Sequence, residues 1–415
     1  MFNILNGIRV LDLTTVVLGP FATQMLGDLG AEVIKIENLD GDMMRAVRPG
    51  KSDEMGAGFV NCNRNKDCVA INLKSEQGKE IFYRLVKTAD VVVHNMRNKT
   101  AVKLGIGYED LKLIKADLVY CGAQGFGEQG PSADIPAYDD IIQAASGLAY
   151  LNSDEEGRPR YLPTIVADKV SGLQLTVAVL GGVVNKLRTG EGCFIESPMF
   201  EGLVAFLMAE QLAGYSYVPT TGGTGYDRLT ASFRRPYPTA DGFIAILPYS
   251  TKNWVEFFTM VGRPEWANWE IVKDPIKRSE NINTLYEKLY EIAPEKTTEE
   301  WCEMLQNANI PHTKVNRLDD LLENEHLNEV GFFKEYEHPS EGPMRQVRSH
   351  YSMKGIGSEA DRPTQRIGES TEIPDPVNEI YSSLGVEVKY QEEINTGIKK
   401  MKKMNPNTLT TDLIK

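Results

Sequence analysis

The strongest constraint on the fold is an early alternation of strand, helix and strand. Residues 8–13 are apolar and short enough for a buried strand, residues 21–29 have helical spacing, and residues 31–37 predict a second strand. Gly30 stands where the C-terminal cap of that helix belongs. Two strands joined through a helix form a βαβ unit, whose strands run parallel in one sheet. The chain is therefore predicted to be an α/β protein.

The same alternation continues to about residue 213 and then changes. Helices are predicted at 74–87, 108–115, 138–150, 169–187 and 200–213, and strands at 90–94, 118–121 and 193–196. Residues 214–225 predict a flexible glycine-rich loop, and a turn at Asp241-Gly242 leads into a strand. Helices near 251–261, 281–292 and 298–307 indicate a smaller middle domain, and the polar stretch 317–374 indicates a long connection.

Composition excludes several classes of function. The formal net charge of −13 argues against a nucleic-acid binder, although a few local cations can still bind phosphate. Five scattered cysteines without a CxxC pair and five histidines without HxxxH spacing predict no disulfide framework and no metal site. Without a signal peptide or a run of about 18 apolar residues, no membrane span is predicted, and a cytoplasmic location is expected.

Asp168 is the most informative single residue. It ends a short apolar run and precedes a helical pattern, so it is predicted to be the N-cap of that helix and to be ionised at neutral pH. Aspartate is a common cap, but a carboxylate in this place can also act as a nucleophile, and periodicity leaves both roles open. The helix carries one apolar stripe, formed by Leu173, Val177, Leu180, Val184 and Leu187.

One glycine motif is misleading. Residues 125–130 match GxGxxG and follow a strand, as in dinucleotide-binding proteins. Pro131 and Pro136 come next, so no helix is expected to begin at the last glycine. A dinucleotide site is therefore not predicted. The sequence also contains no GxSxG elbow and no P-loop.

Several short motifs together resemble the class III CoA-transferases, the family of formyl-CoA transferase and carnitine CoA-transferase. They occur in family order from residue 7 to residue 371. They are residues 7–13 (GIRVLDL), 19–20, 29–37 and 41–42; 65–66, 73–74 and 89–95; 138–139, 143–144 and 146–147; 167–168, 171–172 and 189–192; 238–242; and 368–371. Each motif alone is weak, but the set is specific.

The resemblance implies a covalent role for Asp168. Its carboxylate would attack the thioester of an acyl-CoA donor and give a mixed anhydride and CoA thiolate, which then forms an aspartyl-CoA thioester. An acceptor carboxylate would take over the CoA through a second anhydride. The expected substrates are therefore an acyl-CoA and a carboxylic acid, with coenzyme A as part of a substrate and no permanently bound cofactor.

The resemblance also implies residues that bind coenzyme A and residues that support the reaction. Formyl-CoA transferase has glutamine at the position of Val17 and a basic residue at that of Asn38, so formyl transfer to oxalate is not expected. Tyr138 and Asp139 would support Asp168. The glycine-rich flap would include Gly222, Gly223 and Gly225. The coenzyme A contacts would be Val17, Leu18, Asn38, Ile71, Asn72, Leu73, Lys74, Asn95, Met96, Arg97 and Lys103.

The alternative function within the same fold is α-methylacyl-CoA racemisation. Racemases use a histidine beside an aspartate, and here Tyr138 replaces that histidine, which favours the transferase. The family fold implies a Rossmann-like large domain from both chain ends (1–190 and 375–415) and a small α+β domain at 226–316. Residues 191–225 would be a linker with the glycine-rich loop, and 317–374 a return linker. Two ring-like subunits would interlock as a homodimer.

Overall fold

The computed structural model of the chain describes residues 1–372. The predicted share of residues 375–415 in the large domain and the basic tail at 399–403 lie outside the described residues. The described chain divides into two compact units. The first contains Met1–Phe206 and the described residues from Phe332 onward, and the second is Leu207–Gly331.

The first unit is built on a six-stranded parallel sheet, which confirms the predicted α/β class. The strand order is β3-β2-β1-β4-β5-β6. From β1, the strands follow one another to one side as far as β3 and to the other side from β4 to β6, so the order switches between β1 and β4. The strands are β1 (Arg9–Leu13), β2 (Glu32–Glu37), β3 (Lys66–Ala70), β4 (Val91–His94), β5 (Val119–Gly122) and β6 (Cys193–Glu196). β3 was not predicted because its first half, Lys66-Asp67-Cys68, is too polar to indicate a buried strand.

Helices cover this sheet, and their apolar faces form the core with it. In α3, Ile81, Phe82, Leu85 and Val86 are spaced to share one face and are fully buried. The helices of this unit are α1 (Leu18–Asp28), α2 (Ala57–Val60), α3 (Glu76–Thr88), α4 (Asn98–Leu104), α5 (Tyr108–Ile114), α6 (Asp139–Ala145), α7 (Leu148–Leu151), α8 (Val166–Thr189) and α9 (Met199–Gln211), whose end belongs to the second unit. Residues 123–138 contain no helix, so the GxGxxG motif lacks the helix that a dinucleotide site needs.

The single helix predicted over 138–150 is two helices. Gly147 separates α6 from α7 with a φ of 89°, a left-handed conformation that favours glycine. The apolar pattern continues through this break, which is why periodicity alone missed it.

Helix α8 is apolar on two sides. Leu175, Val179 and Val183 are buried, whereas the predicted stripe faces outward, with Val177 and Leu187 each 70% exposed. By length and mean hydropathy alone, α8 could cross a membrane, a test that core helices of soluble proteins also pass. The helix contains no uninterrupted run of about 18 apolar residues, because Asp168 and Lys169 precede its apolar part and Gln174 and Lys186 lie within it.

The second unit has its own aromatic core and a three-stranded antiparallel sheet, β7-β8-β9. Trp254, Phe257 and Trp301 are each at most 1% exposed, and the rings of Phe257 and Trp301 stack. Its strands are β7 (Tyr237–Pro238), β8 (Phe243–Ile246) and β9 (His312–Lys314). Its helices are α10 (Asp227–Thr230), α11 (Thr251–Met260), α12 (Glu270–Lys273), α13 (Pro275–Glu280), α14 (Ile282–Ile292), α15 (Thr298–Asn307) and α16 (Glu325–Glu329).

The stretch predicted to be an irregular connection, 317–374, contains regular structure. Besides α16, it forms an antiparallel hairpin of β10 (Phe333–His338) and β11 (Gly342–Val347). Further along, the Gln365 side chain accepts a hydrogen bond from the backbone N–H of Cys68 in β3 at 2.7 Å. The hairpin strands are largely exposed and rich in charge, so their sequence resembled a loop.

Candidate active site

The predicted coenzyme A contacts lie on segments that leave the six-stranded sheet at the carboxyl ends of its strands. Parallel strands end at the same edge, and ligands of such sheets bind outside the carboxyl ends at the switch point. All eleven predicted contacts follow the first four strands. They are Val17 and Leu18 after β1, Asn38 after β2, Ile71, Asn72, Leu73 and Lys74 after β3, and Asn95, Met96, Arg97 and Lys103 after β4.

These residues differ in what they can offer a ligand. Val17, Leu18 and Ile71 are buried, so only their backbone atoms can contact a ligand. The side chains of Lys74, Arg97 and Lys103 are exposed cations, suited to phosphate oxygens. Arg97 already donates one hydrogen bond to the backbone carbonyl of Asp134 at 3.2 Å, and its other N–H groups extend beyond that contact.

The loop after β1 is tied directly to the loop after β4. The backbone N–H of Thr15 donates to the Asn95 side chain at 3.0 Å, and the Asn95 amide donates back to the Thr15 carbonyl at 2.8 Å. The next residue, Val16, has a φ of 72°, which a β-branched side chain rarely adopts. Such strain persists only where surrounding contacts impose it, and it is typical of functional loops.

Buried charged side chains donate hydrogen bonds to the backbone of the loop after β1. Lys35 Nζ donates to the Thr14 carbonyl at 2.9 Å, and Lys66 Nζ donates to the Pro20 carbonyl at 2.9 Å. The two ammonium groups are paired with Asp42 and Asp12, each at 3.1 Å. The Asp42 carboxylate also accepts the backbone N–H of Val16 at 3.2 Å. Both ends of the loop are therefore fixed by ion pairs that are fully buried.

The charges in this cluster balance. Burial raises the pKa of Asp12, but Lys66 and Lys35 outweigh it, together with two threonine hydroxyls, and lower that pKa to about 2. A third pair, Arg45 and Glu37, forms two hydrogen bonds of 2.8 and 2.6 Å. With three cations and three carboxylates, every buried charge has a partner. All of these residues except Arg45 lie in motifs that resemble the family's, but none of them was predicted to contact coenzyme A.

Asp168 does not occupy the predicted position. The N-cap of α8 is Ile165, and Asp168 is the third residue of the helix. The backbone N–H of Asp168, one of the unpaired groups of the first turn, donates to Asp139 Oδ1 at 3.0 Å. Asp139 therefore supplies the cap from α6, and the Asp168 carboxylate is not used for capping.

The Asp168 carboxylate is buried against the start of a second helix. The residue is 7% exposed, and the backbone N–H of Leu18, the first residue of α1, is near enough to its carboxylate to lower its pKa. Burial raises the pKa of Asp168 to about 7, with a further contribution from the negative charge of Asp139. Burial outweighs the effect of the Leu18 backbone, so the carboxyl is only partly ionised at neutral pH, whereas the sequence predicted an anion.

Close packing of α1 on α8 places these groups together. A Cβ atom on Gly172 would lie 2.8 Å from the Leu18 carbonyl oxygen and 3.1 Å from the Phe21 ring. Only glycine lets the two helices approach this closely. The motif at 171–172 thus has a structural role in seating Asp168 beside the α1 backbone.

Gln143 is a site residue that the sequence analysis did not single out. It is fully buried and donates to Asp139 Oδ2 at 2.6 Å, while its carbonyl oxygen accepts the backbone N–H of Leu162 at 2.9 Å. It therefore connects α6 to the segment that leads into α8. The spacing of four residues from Asp139 on a predicted helix could have revealed this pair.

The remaining predicted residues divide between the two units. Tyr138 is 60% exposed and is the N-cap residue of α6, directly before Asp139. Gly222, Gly223 and Gly225 lie in the second unit, in an exposed loop that folds back on itself. In that loop the Gly223 carbonyl accepts the N–H of Gly214 at 3.0 Å. Within residues 1–372, no group of three or more His, Cys, Asp or Glu could hold a metal ion.

Comparison with known proteins identifies the family. The model of CoA-transferase family III matches residues 5–371, and the chain belongs to this family. It is 31% identical over 344 residues to human succinyl-CoA:glutarate CoA-transferase, covering 82% of this chain and 78% of that protein. It is 33% identical over 347 residues to the probable fatty acyl-CoA transferase Rv3272 of Mycobacterium tuberculosis, covering 79% of this chain and 88% of that protein.

The structures agree with this assignment. A crystal structure of Rv3272 from M. tuberculosis superimposes with a TM-score of 0.76 at 28% identity, over 88% of this chain and 98% of that one. The protein is accordingly an enzyme that transfers coenzyme A, as its resemblance to the class III CoA-transferases implied.

Proposed function

We propose that the enzyme moves coenzyme A from an acyl-CoA donor to a carboxylic acid through covalent intermediates on Asp168. The observation that carries this proposal is a buried carboxyl whose pKa is about 7, held at the start of α1 beside the loops after β1 and β4. A carboxylate of high pKa is more nucleophilic than one in water and is still largely ionised slightly above neutral pH.

The reaction proceeds in steps that conserve the thioester. The Asp168 carboxylate attacks the acyl carbonyl, the C–S bond breaks, and an aspartyl-acyl anhydride and CoA thiolate form. The thiolate attacks the aspartyl carbonyl, which releases the donor carboxylate and gives aspartyl-CoA. The acceptor carboxylate attacks that thioester to give a second anhydride, and the thiolate then attacks the acceptor's carbonyl. Product thioester leaves and the Asp168 carboxylate is restored.

The surrounding residues have distinct tasks in this scheme. The backbone N–H of Leu18, which lowers the pKa of Asp168, would stabilise an oxyanion that develops on the aspartyl carbonyl. Asp139 and Gln143 position the first turn of α8. The cations Lys74, Arg97 and Lys103 bind the phosphates of coenzyme A, with the other predicted contacts after the four strands lining the rest of the molecule.

The acids are proposed to be short, with dicarboxylates as the first candidates. The human relative is named for succinyl-CoA and glutarate. Val17 in place of a glutamine argues against formyl transfer to oxalate. The donor would therefore be the CoA thioester of one short dicarboxylic acid and the acceptor a second such acid, and the reaction is proposed to take place in the cytoplasm.

The quaternary structure is proposed to be the interlocked homodimer of the family, with a Rossmann-like large domain and a small middle domain. The outward apolar stripe of α8 supports a second copy. Leu173, Val177, Val184 and Leu187 are 46–70% exposed and lie on one side of the helix. An apolar surface of this kind is buried in an assembly more often than it is left in water.

The alternative is racemisation of an α-methylacyl-CoA. A carboxyl with a pKa of about 7 could also exchange an α-proton, so the pKa alone does not separate the two functions. Tyr138 stands where racemases have the histidine that exchanges the α-proton, which favours transfer.

Mass spectrometry of the quenched enzyme tests the proposal. The protein is incubated with succinyl-CoA, glutaryl-CoA or a branched acyl-CoA, then digested, with hydroxylamine trapping in parallel. A coenzyme A or hydroxamate adduct on the peptide containing Asp168 is expected, and none in the Asp168→Asn variant. Deuterium exchange at the α-carbon without any adduct would instead establish the racemase.

A further inference from the structure

The second unit contains a cavity that the proposed chemistry at Asp168 does not use. Its volume is about 480 Å³. Residues from α10, β7, β8, α14 and β9 line it, and it is open to solvent. The lining residues are Arg228, Arg234, Arg235, Pro236, Tyr237, Ala245, Ile246, Leu247, Tyr286, Pro311, His312 and Thr313.

The charge of this lining is unusual for the chain. Three of the twelve residues are arginines and one is a histidine, and none is acidic. The chain as a whole carries a net charge of −13. A concentration of cations within an acidic protein produces a local positive potential that attracts anions and repels other cations.

Arg228 is held in a fixed orientation. Its Nε donates to the hydroxyl of Tyr286 at 2.9 Å, and its guanidinium lies 5.5 Å from the centre of the Tyr249 ring. Tyr286 is 2% exposed, so this support is part of the core. The two terminal nitrogens of a guanidinium held through Nε form a planar fork that matches a carboxylate.

Arg234 is the second available cation. Its side chain is exposed, and within residues 1–372 no carboxylate forms an ion pair with either Arg234 or Arg228. The third polar group is His312, whose Nδ1 pairs with the Ile310 carbonyl at 2.8 Å and leaves Nε2 as the remaining ring nitrogen. Arg228 and Arg234 therefore offer directed donors to the cavity, and neither has an acidic partner among the described residues.

Apart from Arg235 and Thr313, the rest of the wall is largely apolar. Ile246 and Tyr237 are 4% and 3% exposed, and Pro236, Leu247 and Pro311 complete the surface. A small inorganic ion would leave this apolar wall without a partner. A ligand with an anionic head and a short carbon chain would satisfy both parts.

We propose that this cavity binds the carboxylate of a short organic acid, with Arg228 and Arg234 as its anion ligands. The proposal goes beyond the chemistry at Asp168, because it concerns binding alone and holds whether or not Asp168 forms covalent intermediates. Carboxylate is favoured over phosphate because the planar fork of Arg228 matches it and because the apolar wall matches a carbon chain.

Isothermal titration calorimetry on the full chain tests the proposal. The Asp168→Asn protein is used as the background, so covalent chemistry cannot contribute to the heat. Succinate, glutarate and butyrate are titrated as carboxylate probes, and inorganic phosphate as a separate probe. We expect at least one carboxylate to bind and Arg234→Gln to weaken that binding about tenfold or more.

Three arginine variants test whether the carboxylate binds in this cavity. Arg234 is exposed and its substitution leaves the core intact, whereas Arg228→Gln also removes the contact with Tyr286 and serves as a second variant. Arg263→Gln changes an exposed arginine of the same unit outside the cavity and should leave binding unchanged. Carboxylate affinity that is unaffected by Arg234→Gln overturns the proposal. Arginine-dependent binding of phosphate without binding of any carboxylate also overturns it, in favour of a phosphate site.

Discussion

Replacing Asp168 by asparagine should stabilise the folded protein, and the gain should depend on pH. The pKa of this carboxyl rises from 3.8 to about 7 on folding, mainly because it is buried and then because Asp139 is near. At 1.36 kcal/mol per pKa unit, ionising it in the folded state costs about 4 kcal/mol. Asparagine has the same shape and can still accept the Leu18 N–H, but it carries no charge.

The direction in which pH changes the free energy of unfolding follows from proton linkage. Below pH 3.8 the Asp168 carboxyl is protonated in both the folded and the unfolded state, so it does not lower the free energy of unfolding. Between pH 3.8 and about 7 the unfolded chain loses the proton and the folded protein keeps it, so the wild type is progressively destabilised. Above pH 7 the penalty is constant. The advantage of Asp168→Asn should therefore grow by about 4 kcal/mol between pH 4 and pH 8.

Urea unfolding at a series of pH values measures this difference, with both proteins at one concentration. Asp140→Asn, which removes an exposed carboxylate from the same helix as Asp139, is the matched control and should show little pH-dependent gain. In parallel, kcat/KM of the wild type should rise with pH to a plateau, with an apparent pKa near 7. A stability difference that stays flat from pH 4 to pH 8 would refute the reasoning.

Three further substitutions test the supports of the site. Gly172→Ala places a Cβ 2.8 Å from the Leu18 carbonyl, so urea unfolding should show a loss of about 1–3 kcal/mol and steady-state assays a lower kcat. Gln143→Leu leaves the Leu162 N–H unpaired, and kcat should fall about tenfold or more while KM for the CoA ester changes little. Asp12→Asn removes the partner of Lys66 and should cost about 3–5 kcal/mol at pH 7. That last difference should shrink as pH falls from 4 towards 2, because the wild-type pKa is about 2; a pH-independent difference would contradict it.

The sequence predicted the helices and strands correctly in segments where the apolar periodicity and the positions of glycines indicate the same element. The parallel sheet and most of its helices follow directly from such segments, and Asp168 stood out by its place before a long helix. The capping arrangement was not predictable, because the group that caps α8 is Asp139, which lies 29 residues earlier and reaches Asp168 only in three dimensions.

The pKa of Asp168 and the cavity of the second unit depend on packing in the same way. A sequence indicates that a carboxylate begins a helix, but not that α1 packs over it at Gly172 and excludes water. Arg228, Arg234 and His312 are spread over 85 positions of the chain, so no local motif contains them. The pKa of Asp168 and the lining of the cavity therefore depend on burial and on contacts between distant parts of the chain, which the composition does not reveal.

The cluster of buried ion pairs beneath the loop after β1 also limits how the enzyme can change. Because Asp12, Lys35, Lys66 and Asp42 share one water-free space, replacing any one of them leaves a charge without a partner. A protein that carries only one such substitution would be less stable, so this cluster is not expected to change by single mutations. The exposed Tyr138 and Arg234 carry no such constraint. New substrate preferences should therefore arise first at exposed residues such as these, while the loop after β1 keeps its shape.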